Sequence, residues 1–336
     1  MILIWTLRTP DNRTIYRFFG HMFQKPTASK ASGFRRPIFA GVMLAITATL
    51  IWSGNFIIAR SVIHDIPPVT LAFYRWLTAS LLMLPLAWKQ IPGEWSLVKK
   101  HPAYFFLTAL TGIALFNTFV YIAGHYSPAI NLALIGTTSS PIIAILLARV
   151  LLKEKITGWR VAGLTLCIAG ILYLLSAGSF QKLVSLQFGR GDGWILAGAL
   201  AFAIYNIQVR KKPAGISAQH FLLVIFSVGT LLLFPFSLVE QANNPPIAWN
   251  WSLFGVILYL GLGTSVIAFL CWNAAILRLG AARTALFGNL IPIFSSLEAL
   301  LLLKEKIHYL HLVSGLLVIS GLVLANLPTS TRRVKF

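Results

Sequence analysis

Charge is what this chain has least of. Lysine, arginine, aspartate and glutamate together make 11% of the 336 residues, and only 8 are acidic. Ordinary soluble domains hold roughly 25% charged residues. That composition excludes the two soluble domains that length alone would allow. Cysteine is nearly absent too: Cys167 and Cys271 lie inside apolar segments, where they read as packing residues and not as a disulfide or metal site. No GxxxxGK(S/T), HExxH, CxxC or G-x-S-x-G pattern occurs, so the chain shows no ATP motor, catalytic motif or cofactor signature. Gly189-Arg-Gly-Asp-Gly193 is a glycine-rich turn and not a dinucleotide fingerprint.

What the chain does have is apolar sequence, 57% of it, in long continuous runs. About 20 apolar residues cross a hydrocarbon core in a helix, and only helices and closed barrels satisfy their own backbone in lipid. Continuous rather than alternating runs select helices. The formal charge of +20 does not indicate a nucleic-acid partner, because the basic residues sit between the apolar runs and not on an amphipathic face.

The sequence is also written twice. Pro141-Ile-Ile-Ala-Ile-Leu-Leu-Ala-Arg-Val-Leu-Leu-Lys-Glu-Lys-Ile156 returns 151 positions later as Pro292-Ile-Phe-Ser-Ser-Leu-Glu-Ala-Leu-Leu-Leu-Leu-Lys-Glu-Lys-Ile307, with 10 of 16 residues identical. The same offset pairs Asn55 with Asn206, Gly112 with Gly263 and Gly170 with Gly321. A repeat of half the chain is a duplication and not a solenoid.

Residues 1–36 are short apolar fragments broken by seven basic residues, with Asp11 as the acid, and carry no secretory signal. An organellar transit peptide, a start upstream of Met22 and a basic cytoplasmic tail all fit; the tail is the simplest. From residue 37, ten spans are predicted at about 38–59, 69–88, 103–123, 129–150, 161–179, 193–209, 218–239, 252–271, 284–303 and 309–327. They divide into a first half, 37–179, and a second, 180–327, followed by a basic tail, 328–336. With the N-terminus in the cytoplasm, the inner segments hold 21 basic residues and the outer ones 5, which puts both termini inside. Five spans per half then turn the second half upside down. Inverted repeats are the architecture of secondary transporters, with the substrate site near the midplane.

Each half has a proline in its fourth span and a glutamate thirteen residues on: Pro141 to Glu154 and Pro292 to Glu305. With Leu50-Ile-Trp-Ser-Gly-Asn55, Arg75, Gly163, Gly170, Gly315 and Gly321, the chain over about 38–327 resembles the EamA family of the drug/metabolite transporter superfamily. The resemblance implies an all-α integral membrane fold of ten helices in two inverted five-helix repeats. It also implies transport of small metabolites, often outward and across a bacterial inner membrane. Glu298 departs from the pattern, standing where an apolar or small residue is expected.

Candidate site residues follow from helical spacing. Thr49, Trp52 and Asn55 recur every three residues; Asn117, Tyr121 and His125 recur every four, as do Ser265, Phe269 and Asn273 beside Trp272. Tyr205 and Asn206 supply the second-half counterpart of Asn55. Trp52, Asn55, Asn117, Tyr121, Tyr205, Asn206, Trp272 and Asn273 are therefore candidates for an apolar pocket with a few oriented polar groups, or for interhelical hydrogen bonds. Arg75, about 10 Å deep, is either a cavity cation for a substrate carboxylate or a structural arginine. Glu298 is the one acid well inside an apolar run, a candidate protonation site or a structural acid bonded to a neighbouring helix, Arg75 included. Pro141 and Pro292 are candidate kinks. His125 reads as interfacial, and Glu154 as half of a local ion pair.

The sequence points to a transporter, not an enzyme, that exports a small amphipathic metabolite such as an amino acid by alternating access. Its expected partners are that substrate, membrane lipid, protons and a second copy of the chain. A rival is an organellar or import-type exchanger of anionic metabolites, which should need more embedded cations than Arg75. A second rival, a membrane enzyme acting on lipid-linked substrates, would need clustered acids or histidines at one face, and the 7 histidines are scattered.

Overall fold

A computed structural model describes residues 35–62, 65–126, 129–185, 189–303 and 309–327. Among the described residues every regular element is helical. The helices are α1 (Arg35–Ser61), α2 (Pro68–Ala87), α3 (Ile91–Lys100), α4 (Pro102–Tyr126), α5 (Ala129–Leu151), α6 (Gly158–Leu175) and α7 (Phe180–Val184). They continue as α8 (Arg190–Arg210), α9 (Ala218–Ala242), α10 (Trp251–Leu279), α11 (Ala281–Leu286), α12 (Ile291–Leu303) and α13 (Tyr309–Asn326). Eight are long and apolar enough to cross a membrane: α2, α4, α6, α8, α9, α10, α13 and, within α1, Pro37–Asn55. The remaining two expected spans fall on α5, whose Ser139–Leu151 portion is apolar, and on α11 and α12, joined by a 3-10 turn at Phe287–Leu290.

Local chemistry marks the helix ends. Pro68 and Pro102 open α2 and α4 at positions whose amide would have no partner. Thr157, Ser217 and Asn250 accept a backbone N–H three residues on, capping α6, α9 and α10. Gly280, at φ 92°, ends α10 in a backbone region that disfavours a side chain.

Packing repeats when the halves are exchanged. α1 lies on α10 as α8 lies on α4, and α12 lies on α1 as α5 lies on α8. Two seams join counterpart helices directly: α6 with α13, and α2 with α9. In the first, a Cβ on Gly321 would stand 2.6 Å from Gly163 O, and one on Gly170 would stand 3.0 Å from Ser314 O. Ser314 Oγ donates to Gly170 O at 2.8 Å. Residue numbers rise on α6 as they fall on α13, so the two helices run antiparallel. The 151 offset turns Gly163 into Ser314 and Gly170 into Gly321, so the contact is its own mirror, as a twofold contact must be. α2 and α9 are antiparallel as well: Glu240 near the end of α9 meets Thr70 at the start of α2, and Ser80 meets Thr230 midway.

α4 and α10 each leave the α-helical ladder for a π-helical stretch, Leu110–Leu115 and Leu260–Ile267. The same offset carries the first into the second. Such stretches are rare and concentrate at functional sites. Between them sits an aromatic core. Trp52 packs on Phe202, Phe269 and Trp272 with ring centroids 5.7, 5.6 and 4.9 Å away, and Trp76 joins through Phe269 at 5.3 Å.

Candidate functional site

Arg75 is the hub of the buried polar groups. It is 1% exposed and lies on α2 facing α4 and α10. Its Nε donates to Ser265 Oγ at 2.8 Å, and its Nη1 donates to Asn117 Oδ1 at 2.8 Å and Tyr121 Oη at 2.9 Å. Nη2 reaches Thr264 O at 3.3 Å, and the guanidinium carbon lies 4.8 Å from the Trp76 ring centroid. Asn117 and Tyr121 are one turn apart on α4, just past its π-helical stretch, while Thr264 and Ser265 lie inside that of α10. These acceptors are neutral.

Glu298 lies on the other side of α1. Ser53 Oγ donates to Glu298 Oε1 at 2.7 Å, and Ser295 Oγ donates to Ser53 O at 3.1 Å. The Ser295–Glu298 face of α12 therefore meets α1. Ser53 has one hydroxyl proton and a second acceptor, Leu50 O at 2.5 Å. The other carboxyl oxygen, Oε2, is buried with no hydrogen-bond partner. Tyr259, whose hydroxyl donates to Ile51 O at 2.9 Å, stands within electrostatic reach of both Glu298 and Arg75. The described hydrogen bonds of Arg75 do not include Glu298, and the two charges flank Trp52 and Tyr259 rather than meeting.

A second polar group lies one aromatic layer away. Tyr205 Oη donates to Asn273 Oδ1 at 2.7 Å, and Trp272 Nε1 donates to Asn206 Oδ1 at 2.9 Å. Trp52 connects the two groups: its ring packs on Trp272 and its Nε1 donates to Thr264 O at 2.8 Å. Asn55 is buried on α1 with Oδ1 lacking a partner, as are the Nδ2 atoms of Asn117, Asn206 and Asn273. The eight pocket candidates lie on the α1, α4, α8 and α10 core: Tyr205 bonds Asn273 and Trp272 bonds Asn206, while Asn117 and Tyr121 bond Arg75 and Trp52 bonds Thr264 O. That core is closed. Among the described residues, a cleft beside Asn273 toward Lys212 and Phe221 has room for about one water.

The two prolines differ. Pro141 is buried inside α5, where Ser139 Oγ donates back to Ile135 O. Pro292 stands at the second position of α12, directly after the 3-10 turn Phe287–Leu290. His125 is exposed. Glu154 pairs with Arg160 at 3.8 Å rather than with a flanking lysine; Glu305 lies outside the described residues. Ser53, Tyr259 and Thr264 join the network without standing out in the sequence. Ser53 lies between Trp52 and Gly54, Tyr259 lies on no polar stripe, and Thr264 contributes its backbone carbonyl from within the π-helical stretch.

The model of the EamA-like transporter family matches this chain twice, at residues 39–176 and 189–327. The chain belongs to the EamA-like transporter family. Its relatives agree. An uncharacterized transporter of Archaeoglobus fulgidus is 28% identical over 291 residues, covering 85% of this chain and 96% of its own length. A probable terminal-alkyne amino-acid exporter of Streptantibioticus cattleyicolor is 27% identical over 230 residues, with 68% and 74% covered. A probable amino-acid metabolite efflux pump of Salmonella typhimurium is 24% identical over 315 residues, with 86% and 96% covered. A crystal structure 18% identical in sequence superposes with a TM-score of 0.67 over 85% of this chain and 96% of its own, which shows a shared fold. This EamA-like chain is an integral membrane protein of a transporter family, and that family is not a class of enzymes.

Proposed function

We propose that the chain is a secondary transporter that exports a small amphipathic metabolite, an amino acid or a relative of one. It works by alternating access between two five-span halves of opposite orientation in a bacterial inner membrane, with both termini cytoplasmic. The observation that carries this is the antiparallel pairing of counterpart helices, α6 with α13 and α2 with α9. Counterparts that run in opposite directions are what an inverted repeat produces and a parallel duplication does not. The names of the Streptantibioticus and Salmonella relatives support amino-acid cargo.

In this reading the closed aromatic core around Trp52 is the occluded centre of the path. Arg75 meets the cargo's carboxylate, Tyr205, Asn206, Trp272 and Asn273 exchange their mutual hydrogen bonds for bonds to cargo, Asn117 and Tyr121 exchange their bonds to Arg75, and Asn55 offers its unpartnered Oδ1. Glu298 carries the coupling proton. Ionised, it competes with Leu50 O for the single Ser53 proton and leaves Oε2 without a donor. Protonated, it becomes a donor itself and relieves that competition.

The test compares extracellular metabolites of cells expressing the intact chain with those expressing the Asn55→Ala/Asn206→Ala double variant at equal membrane abundance. A metabolite enriched outside only with the intact chain names the cargo and fixes export. A metabolite that accumulates inside instead overturns export and favours an uptake or exchange role.

A further inference from the structure

The two seams between counterpart helices are closed by different chemistry. The α6–α13 seam is glycine and alanine against backbone, with Ser314 Oγ on Gly170 O and Cys167 Sγ on Val318 O. The α2–α9 seam is fastened at its ends by carboxylates. At one end Glu240 of α9 accepts Val69 N at 3.2 Å, Thr70 N at 2.6 Å and Thr70 Oγ1 at 2.7 Å. At the other, Glu94 of α3, just past the end of α2, accepts Ser217 N at 2.9 Å, Ser217 Oγ at 3.0 Å and His220 Nδ1 at 3.0 Å. Each acid thus holds the first free amides of a helix on the opposite half or at its rim. Pro67 and Pro68 have no amide, which leaves Val69 and Thr70 as the donors at the start of α2. A carboxylate at a helix start gains from both the exposed N–H groups and the macrodipole. Both acids are half-buried at the ends of the seam, so water can replace either set of bonds when that end opens.

We infer that Glu94 and Glu240 are the end latches of the α2–α9 seam and so are positioning residues for the transport cycle. Each holds its own end closed and lets go in the state open at that end, while the glycine-packed α6–α13 seam stays shut as the pivot. Both latches are engaged in this structure, in keeping with its closed core. The inference rests on the alternating-access reading, and its test needs no cargo.

Ala72 and Ala87 are both 0% exposed on α2, one near the Glu240 end and one near the Glu94 end. Ala72→Cys and Ala87→Cys are labelled with a hydrophilic maleimide in the purified full chain, whose own Cys167 and Cys271 are buried. Glu240→Gln is expected to speed labelling at 72 by about fivefold, the ratio that the loss of one typical helix cap gives, and to leave 87 unchanged. Glu94→Gln is expected to do the reverse. Equal changes at both ends, or none, overturn the latches. Should the glutamine variants fail to fold, Thr70→Ala removes one bond from the Glu240 latch and must speed labelling at 72 while leaving 87 unchanged, or the inference falls. End-selective labelling without measurable transport would fault the transport reading alone; transport without end selectivity would fault the latches alone.

Discussion

A single buried guanidinium decides how the surrounding side chains stand. Arg75 offers five N–H donors in a fixed fork, and Ser265, Asn117, Tyr121 and Thr264 are arranged to receive them. Glu298 is the opposite case, an acid whose Oε2 lacks a partner. An orphaned buried oxygen costs about 1–3 kcal/mol, more when ionised, a cost that protonation lowers. Glu298→Gln is therefore expected to keep the Ser53 contact but abolish the dependence of transport on a pH gradient, measured in proteoliposomes with and without an imposed gradient. Coupling that survives intact would remove Glu298 from the proton path. Glycines separate just as sharply. A Cβ on Gly112 would run into the Tyr205 ring, whereas one on Gly255 would meet nothing within 4 Å. Gly112→Ala is expected to lower stability by about 1–3 kcal/mol through overpacking. Gly255→Ala should raise it by up to about 1 kcal/mol through helix propensity. Thermal unfolding of the two variants side by side checks both signs.

Helices are legible in this sequence because lipid leaves so few alternatives. Apolar runs of about 20 residues predict α2 and α4 to within three residues, but they end α10 at 271 where it runs to Leu279, and Pro92-Gly93, which reads as a break, lies at the start of the helix α3. The π-helical stretches were not legible, since Leu110–Leu115 and Leu260–Ile267 read as ordinary apolar sequence. With them went the Thr264 carbonyl, inside the second stretch, that takes both Trp52 Nε1 and Arg75 Nη2. The polar stripes on α1, α4 and α10 identify which residues face inward but not which partner each one finds. Spacing along one helix holds no information about its neighbour. Which neighbour Glu298 meets likewise needed the placement of α12 on α1. The α6–α13 seam brings together Gly163, Gly170 and Gly321, which the sequence marks only by resemblance and, for Gly170 and Gly321, by the repeat offset, and it tolerates no added bulk. A Cβ on Gly321 would lie 2.6 Å from Gly163 O and 2.7 Å from Cys167 Sγ. Gly321→Val is expected to force the helices apart and cost about 2 kcal/mol or more, read as loss of the monodisperse species after detergent extraction. Normal yield and thermal stability would mean that the seam is looser than its geometry implies.

For the whole molecule, the decisive property is direction. Twofold exchange of the halves appears in the packing, but packing alone does not tell which end of the bundle faces the cytoplasm. Charge bears on it. Lysines and arginines that flank spans resist translocation, and the distribution of 21 against 5 is the basis for proposing that the N-terminus lies inside. The repeated Lys-Glu-Lys tests this more sharply than either terminus, because it asks one peptide to lie on both sides of one membrane. A reporter active only in the cytoplasm should be active when fused after Lys155 and silent when fused after Glu305; a reporter active only outside should give the opposite pair. If both fusions report the cytoplasm, the second half has the same orientation as the first. The antiparallel seams would then need another origin, and alternating access between inverted halves would be lost with them. If the pair splits as expected, the positive charge around Glu305 has been carried across against the rule that governs the rest of the chain. Only the combined insertion of five hydrophobic spans is strong enough to do that.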